Sequence, residues 1–376
     1  MNKRCLRKVV TTLLCLMLLG ILAAAVTRMN TGETPIPGLR EKERTLLRIW
    51  AVNAPGGGMS WLRGQLRTFE KQHPGVSTYL RTVDASELAA PDAVMPDVVL
   101  FMPGDLTEPT GLLPITGEAA VRENGLIREE LLRAGRWQGQ QVALPLCWAG
   151  WSLAIDSALE PGSAVTPAPT TLLGRPAATP DASATPEPGY PLAAAQAAEC
   201  ALQSPGGAAL FTLGLLLEAH PPLPEGFAAL SPAQVYNAFQ RRQCATAMLT
   251  TGQITAFSAL VSGGGGFPFR VMTAQEVITD QVWLAGIMQG APKEAAQLLS
   301  HLSGHEAQQA LSAQGLHTVR QDMTLYAAGV SARLEQAGRN ALTAINAFIP
   351  VEEVKSAAWQ FFQGSLTLSD ALLPLL

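Results

Sequence analysis

Apolar residues follow three different periods along this chain. Val9 to Val26 is a predominantly apolar stretch without a charge, and Lys3, Arg4, Arg7 and Lys8 precede it. A basic head before such a stretch reads as a secretory signal whose basic end stays cytoplasmic. Ala23, Ala24 and Ala25 offer small residues to a signal peptidase, yet the run is also long enough to span a bilayer uncut. Residues 1–26 are therefore a signal peptide or a signal anchor, and either places the bulk of the chain outside the cytoplasmic membrane. Residues 27–43 carry Gly32, Pro35, Pro37 and Gly38 with no apolar period, and read as a tether.

Beyond residue 43 the runs shorten. Leu46 to Val52 reads as a strand, and Asn53-Ala54-Pro55-Gly56-Gly57-Gly58 as the loop after it. Met59 or Ser60 opens a helix with Leu62, Leu66 and Phe69 on one side, ending near His73-Pro74-Gly75. Val76 to Val83 returns as a second strand, completing a right-handed βαβ unit. Pro96-Asp97 followed by Val98 to Phe101 reads as a buried parallel strand opening into a loop. Val142 to Pro145 is an approach strand, and Trp151 to Ile155 is another. Helical patterns cover Leu192–Leu202, Ala208–Ala219, Ser231–Arg241, Ala328–Ala347 and Val351–Gln363. Ser231, Pro232 and Gln234 form a capping-box signature at the third of these. Residues 161–191 hold eight prolines among Ala, Thr and Ser, a composition that cannot pack as helix or central strand. They read as a flexible surface insertion.

Composition narrows the function. The net charge is −4 with only 15% charged residues and no basic stripe, which excludes nucleic acid as a partner. The residues after the signal suffice for two lobes with a core each. Cys147, Cys200 and Cys244 lack the close spacing of a metal site and cannot all pair. They read as small buried hydrophobes, with a Cys200–Cys244 bridge left open. His301 and His305 are four apart, but Ser303-Gly304 interrupts the helix between them, and no His-Glu-x-x-His exists. There is no Gly-x-Ser-x-Gly elbow and no phosphate-cradling Gly-Lys-Ser/Thr. The expectation is a protein with no catalytic residues, no metal and no cofactor: not an enzyme.

Several phrases resemble the family 1 extracellular solute-binding proteins of ABC importers, which include maltose-binding protein. Phe69-Glu70-Lys71-Gln72-His73-Pro74-Gly75-Val76 is similar to that family's first helix exit into its second strand. Gly111-Leu112-Leu113-Pro114-Ile115 and the turn Gly135-Arg136-Trp137-Gln138-Gly139-Gln140 follow in the family's order. Cys244 to Gly252 resembles its strand end feeding a helix beside the ligand. Ala291–Leu302, Gly304–Ala313 and Gly315-Leu316-His317-Thr318-Val319 resemble its late helix pair, with Thr318 in place of a proline. Gly364 to Leu372 looks like its recurrent ending. The resemblance covers about 46–160 and 230–376, and its order carries more weight than any single motif. Many members are lipoproteins, but Cys15 lies inside the apolar run and Cys5 is too early for that anchor.

The resemblance implies an α/β, two-lobed, periplasmic-binding-protein-like (type II) fold with an interlobe ligand cleft. Residues 44–150 and 266–315 would form lobe 1, and 151–265 and 316–376 lobe 2, with Gly263–Phe269 as the second crossing and Phe267 as a wall of the cleft. Ligands in such folds sit beyond the carboxyl ends of strands. The implied ligand residues are Asn53, Gly57 and Trp61 after the first strand, Phe101 and Asp105 after the third, Trp148 and Trp151 at the first crossing, Thr251 and Gln253 in the second lobe, and Trp283. Flat aromatic faces suit sugar C–H groups, and a few polar groups suit the hydroxyl rim. Each also has a plainer reading: the glycines as a flexible turn, Phe101 as core, Asp105 as a helix cap, the tryptophans as core. The second lobe offers no tryptophan at 250–253, where the family often has an aromatic, and Phe257 is the nearest ring. The implied function is capture of a small ligand, a carbohydrate foremost, and its delivery to an ABC permease, with membrane association through the N-terminal segment. The alternative is a degenerate scaffold acting as an envelope interaction or sensor protein.

Overall fold

The computed structural model describes residues 44–88, 95–115, 126–159, 207–216, 232–244 and 246–376. The signal, the tether, the proline-rich insertion, the 192–202 helix, the Ser231 cap and Cys200 lie outside the described residues. Among the described residues no helix is long and apolar enough to cross a membrane. Thr45–Leu376 forms one compact unit.

The strands are β1 (Thr45–Ala51), β2 (Val76–Thr82), β3 (Val98–Phe101), β4 (Arg136–Trp137), β5 (Gln140–Gln141), β6 (Leu144–Trp148), β7 (Trp151–Asp156), β8 (Thr246–Thr250), β9 (Phe269–Met272), β10 (Val277–Thr279), β11 (Val282–Ile287) and β12 (Leu342–Ala344). The longer helices are α1 (Gly58–Gln72), α2 (Glu129–Ala134), α3 (Ala208–Leu216), α4 (Pro232–Gln240), α5 (Thr251–Ser262), α6 (Glu294–Ser303), α7 (Gly329–Asn340) and α8 (Val351–Phe362).

A five-stranded sheet runs in the order β2-β1-β3-β11-β6. β1 is parallel to both β2 and β3, as the βαβ pattern requires. The Pro96-Asp97 pair has a specific task at its start. Asp97 donates its backbone N–H to the Arg48 carbonyl, 2.8 Å, and its carboxylate accepts the Arg48 N–H, 2.7 Å. β3 is buried at every position because helices or loops cover both faces, which explains its uninterrupted apolar run. α1 packs Trp61, Leu62, Leu66 and Phe69 against this sheet's core.

The second sheet, β8-β7-β9, is antiparallel. Alternation along β7 sends Leu153 and Ile155 to a cluster with Phe211, Val354 and Phe362, and Ala154 to one with Phe239, Phe257 and Phe267. In the latter, Phe257 has ring centroids at 5.3 Å from Phe239, 5.0 Å from Phe267 and 4.9 Å from Phe269.

Three expectations need correction. β9 pairs with β7, so the chain returns to the first sheet between β10 and β11, not at residue 266. Gly263–Gly266 is an exposed turn that ends α5 rather than a crossing. The helix read over Ala328–Ala347 stops at Asn340, and β12 pairs with β10. Part of 316–376 also packs against the first sheet: Phe348 lies 5.9 Å from Phe101 and 5.4 Å from Trp137.

Phe257 is fully buried among three other phenylalanine rings, so truncation leaves a void there. Phe257→Ala should cost about 3–5 kcal/mol, read as a lowered denaturant midpoint with an unchanged slope. An unchanged midpoint would show the cluster is not core.

Candidate functional site

The two sheets are joined where β6 passes into β7 and β10 into β11. The Ala149 N–H donates to the Gln281 carbonyl, 2.8 Å, and the Thr279 hydroxyl donates to the Ala149 carbonyl, 2.6 Å. Thr251, the first residue of α5, locks onto the same place. Its N–H donates to the Gly150 carbonyl at 3.1 Å, and its hydroxyl accepts the Gly150 N–H at 3.1 Å. Trp148 and His317 exchange backbone hydrogen bonds of 3.2 and 2.9 Å, and their rings stack at 4.3 Å.

The tryptophans expected to offer faces to a ligand are interior. The indole N–H of Trp148 donates to the Thr318 carbonyl, 2.9 Å, and that of Trp151 to the buried Asp280 carboxylate, 2.8 Å. Trp61 donates to the Ala307 carbonyl, 2.8 Å, and Trp283 to the Asn53 carbonyl, 2.7 Å. All four are at most 3% exposed, while Phe101 and Thr251 are fully buried. Stacking by Trp61, Phe101, Trp148, Trp151 or Trp283, and direct contact from Thr251, are therefore not available in this conformation. The physical reason is that an indole whose one donor is satisfied internally gains its whole apolar area by burial.

Of the expected site residues, Asn53, Gly57, Asp105 and Gln253 keep exposed surface. The fold brings Asn53 and Asp105 together: the Asn53 amide donates to Asp105 Oδ1 at 2.5 Å. The Met102 N–H holds Oδ2 at 2.7 Å. Burial pushes the Asp105 carboxyl above its ordinary pKa, and these two hydrogen bonds pull it partly back. Gln253 is the third residue of a complete capping box on α5, accepting the Thr250 N–H at 2.9 Å.

The loops after β1 and β3 meet the opposite half of the molecule largely through glycines. A Cβ added to Gly252, in the first turn of α5, would lie 3.0 Å from the Gly56 carbonyl oxygen. Gly57, at φ +85°, packs within its own half against Gln314, whose neighbour Gly315, at φ +69°, faces Thr255 and Gly252 of α5. On the other side Gly104 donates its N–H to the Ala347 carbonyl, 2.9 Å, and abuts Val351 at the start of α8. Gly104, Gly252, Thr255, Gln314, Gly315 and Val351 were not among the sequence candidates. Glycines adjoining helix or strand ends were the available signal, but which glycines touch across the cleft depends on tertiary contact. A cavity of about 390 Å³ opens beside Asp105, lined also by Leu88, Val99, Leu106, Leu112 and Met288.

No protein-family profile and no curated protein matches the chain. Solved structures do. The GacH receptor of Streptomyces glaucescens GLA.O, studied unliganded and with acarbose, is 13% identical, with a TM-score of 0.57 over 88% of this chain and 96% of that one. The ABC substrate-binding protein Lmo0181 from Listeria monocytogenes, in complex with cycloalternan, gives 13% and 0.55 over 88% and 97%. Maltose-bound MalE3 of T. maritima gives 14% and 0.54 over 88% and 98%. The chain thus has the two-lobed, periplasmic-binding-protein-like α/β fold expected from its sequence.

Two outcomes follow for the crossings and the cleft. Gly252→Val should force α5 away from the Gly56 carbonyl, raising the radius of gyration in small-angle scattering or costing about 1–3 kcal/mol of stability. Neither change would mean the contact is not closed in solution. His317 is fully buried, neither ring nitrogen has a hydrogen-bond partner among the described residues, and burial pushes its pKa down to about 3. The unfolded chain, with a histidine pKa near 6.5, takes up the proton first as pH falls. The stability from neutral His317 is therefore complete above about pH 6.5 and is lost progressively toward pH 3. At pH 5 the loss is about 2 kcal/mol. Denaturant midpoints at pH 7.5 and 5 should differ more for the wild type than for His317→Phe; equal differences would refute the assignment.

Proposed function

We propose that this chain is an extracytoplasmic solute-binding protein that captures a carbohydrate between its lobes and delivers it to an ABC-type permease. The observation that carries this reading is the convergence of the loops after β1 and β3, which hold the paired Asn53 and Asp105, on the first turns of α5 and α8. Structures of the same fold are described with acarbose, cycloalternan and maltose, and another is a chitin oligosaccharide binding protein. The Asn53 amide and Asp105 carboxylate supply donor and acceptor atoms for hydroxyls. Entry of a ligand requires Gly56 and Gly315 to part from Gly252 and Thr255, a hinge motion about the paired crossings. The N-terminal segment secretes the chain or anchors it outside the membrane. On this reading the protein binds its ligand without transforming it, in keeping with the binding proteins among structures of the same fold.

A thermal-shift screen of the full-length protein against mono- and oligosaccharides, polyols, amino acids and peptides tests this. A ligand at one hundred times its dissociation constant adds about 2.7 kcal/mol. The expected result is a shift from a sugar that weakens at least tenfold in affinity in Asn53→Ala and Asp105→Ala. A shift only from amino acids or peptides would overturn the carbohydrate class. No shift from any pool would overturn solute capture and leave the interaction or sensor role.

A further inference from the structure

The cavity of about 390 Å³ beside Asp105 has the size and the construction of a small-molecule site. Leu88, Val99, Leu106, Leu112 and Met288 give it apolar walls, and Thr107 and Thr110 stand among them. Asp105 and Glu108 are the only charged residues of its lining. The lining therefore carries two negative charges and no positive one.

The segments that supply this lining add no free cation. Across residues 81–88 and 99–112, Arg81 is the single basic residue, and it is paired with Glu87. Asp84 adds a further negative charge to the same segments. The two hydrogen bonds that Asp105 accepts come from the Asn53 amide and the Met102 N–H, both neutral, so neither cancels its charge. Glu108 is exposed and forms no ion pair among the described residues. Burial holds the Asp105 carboxyl above its ordinary pKa, a shift that a bound cation reverses. Like charges sharing a cavity repel, and an ammonium group relieves both through charge-assisted hydrogen bonds.

We propose that the ligand seated at Asp105 is a cationic amino sugar, its ammonium group held by Asp105 and Glu108. The assignment rests on capture of a carbohydrate by this chain. The apolar walls suit the C–H faces of a sugar ring, and Thr107 and Thr110 suit its hydroxyls. A neutral sugar gives the carboxylates hydroxyl donors but leaves both charges unmatched. An alkyl ammonium matches the charge but makes no use of the two threonines.

Isothermal titration of the full-length protein tests this with glucosamine, N-acetylglucosamine and glucose, with the glucosamine dimer, diacetylchitobiose and cellobiose, and with hexylamine. Within each sugar series the rings differ at one position, which carries an ammonium, an acetamido or a hydroxyl group. The amino sugars should bind at least tenfold more tightly than their neutral counterparts, and added salt should narrow the gap. Asp105→Asn and Glu108→Gln should each bring the preference down to a few-fold; if the first does not fold, the exposed Glu108 variant decides. Neutral sugars that bind as tightly as the amino sugars overturn the amino-sugar class and leave carbohydrate capture standing. Hexylamine binding as tightly as the amino sugars overturns the sugar component. No binding of an amino sugar overturns the inference, and only if every other sugar also fails does the capture reading fall with it.

Discussion

The hydrogen-bonded junction at Ala149-Gly150 is the constraint on which the rest of the structure depends. Two chain crossings and the start of α5 meet there, and each satisfies the others' backbone groups. Buried backbone donors and acceptors left unpaired are costly, so this junction cannot be loosened piecemeal. It sets where the five-stranded sheet ends and the three-stranded sheet begins. The first turn of α5 is thereby fixed opposite the loop after β1. Both the cleft geometry and the packing of Trp148 and Trp151 follow from it.

The tryptophans show how one residue type serves scaffold instead of ligand. Trp148 stacks on His317 and packs over Gly338, where an added Cβ would approach its ring to 2.8 Å. Trp151 spans from the second sheet to Asp280 beside the returning strand. Trp61 and Trp283 meet edge to face at 6.3 Å behind the first loop. Their donors all end on internal acceptors, so they brace the crossings and the loop after β1.

The glycines at the cleft give this arrangement its mechanical character. Contact between Gly56 and Gly252 brings main chain to main chain without side chains between. Such a contact buries little apolar area, so its opening costs little compared with disrupting either core. The likeness to solved structures spans 96–98% of those chains, so the scaffold is matched nearly throughout.

Local pattern determined much of this protein. The βαβ start, β3, β7 and α8 follow from apolar period, glycine and proline placement, all of which act within a few residues, while the strand feeding α5 was legible only through the family resemblance. The two-lobed class was legible from the order of those elements. β11 was not, because Val282 to Ile287 is a short apolar run that periodicity cannot assign, and its place between β3 and β6 is set by distant partners. The crossing misplaced at Gly263–Gly266 has the same cause, since a glycine run marks a turn whether or not the chain changes sheet. At the site, Asn53 and Asp105 could be named from their positions after strands. Only the tertiary structure decided that they pair and that the tryptophans point inward. Whether an indole is wall or core depends on an acceptor more than a hundred residues away, and no local period encodes that.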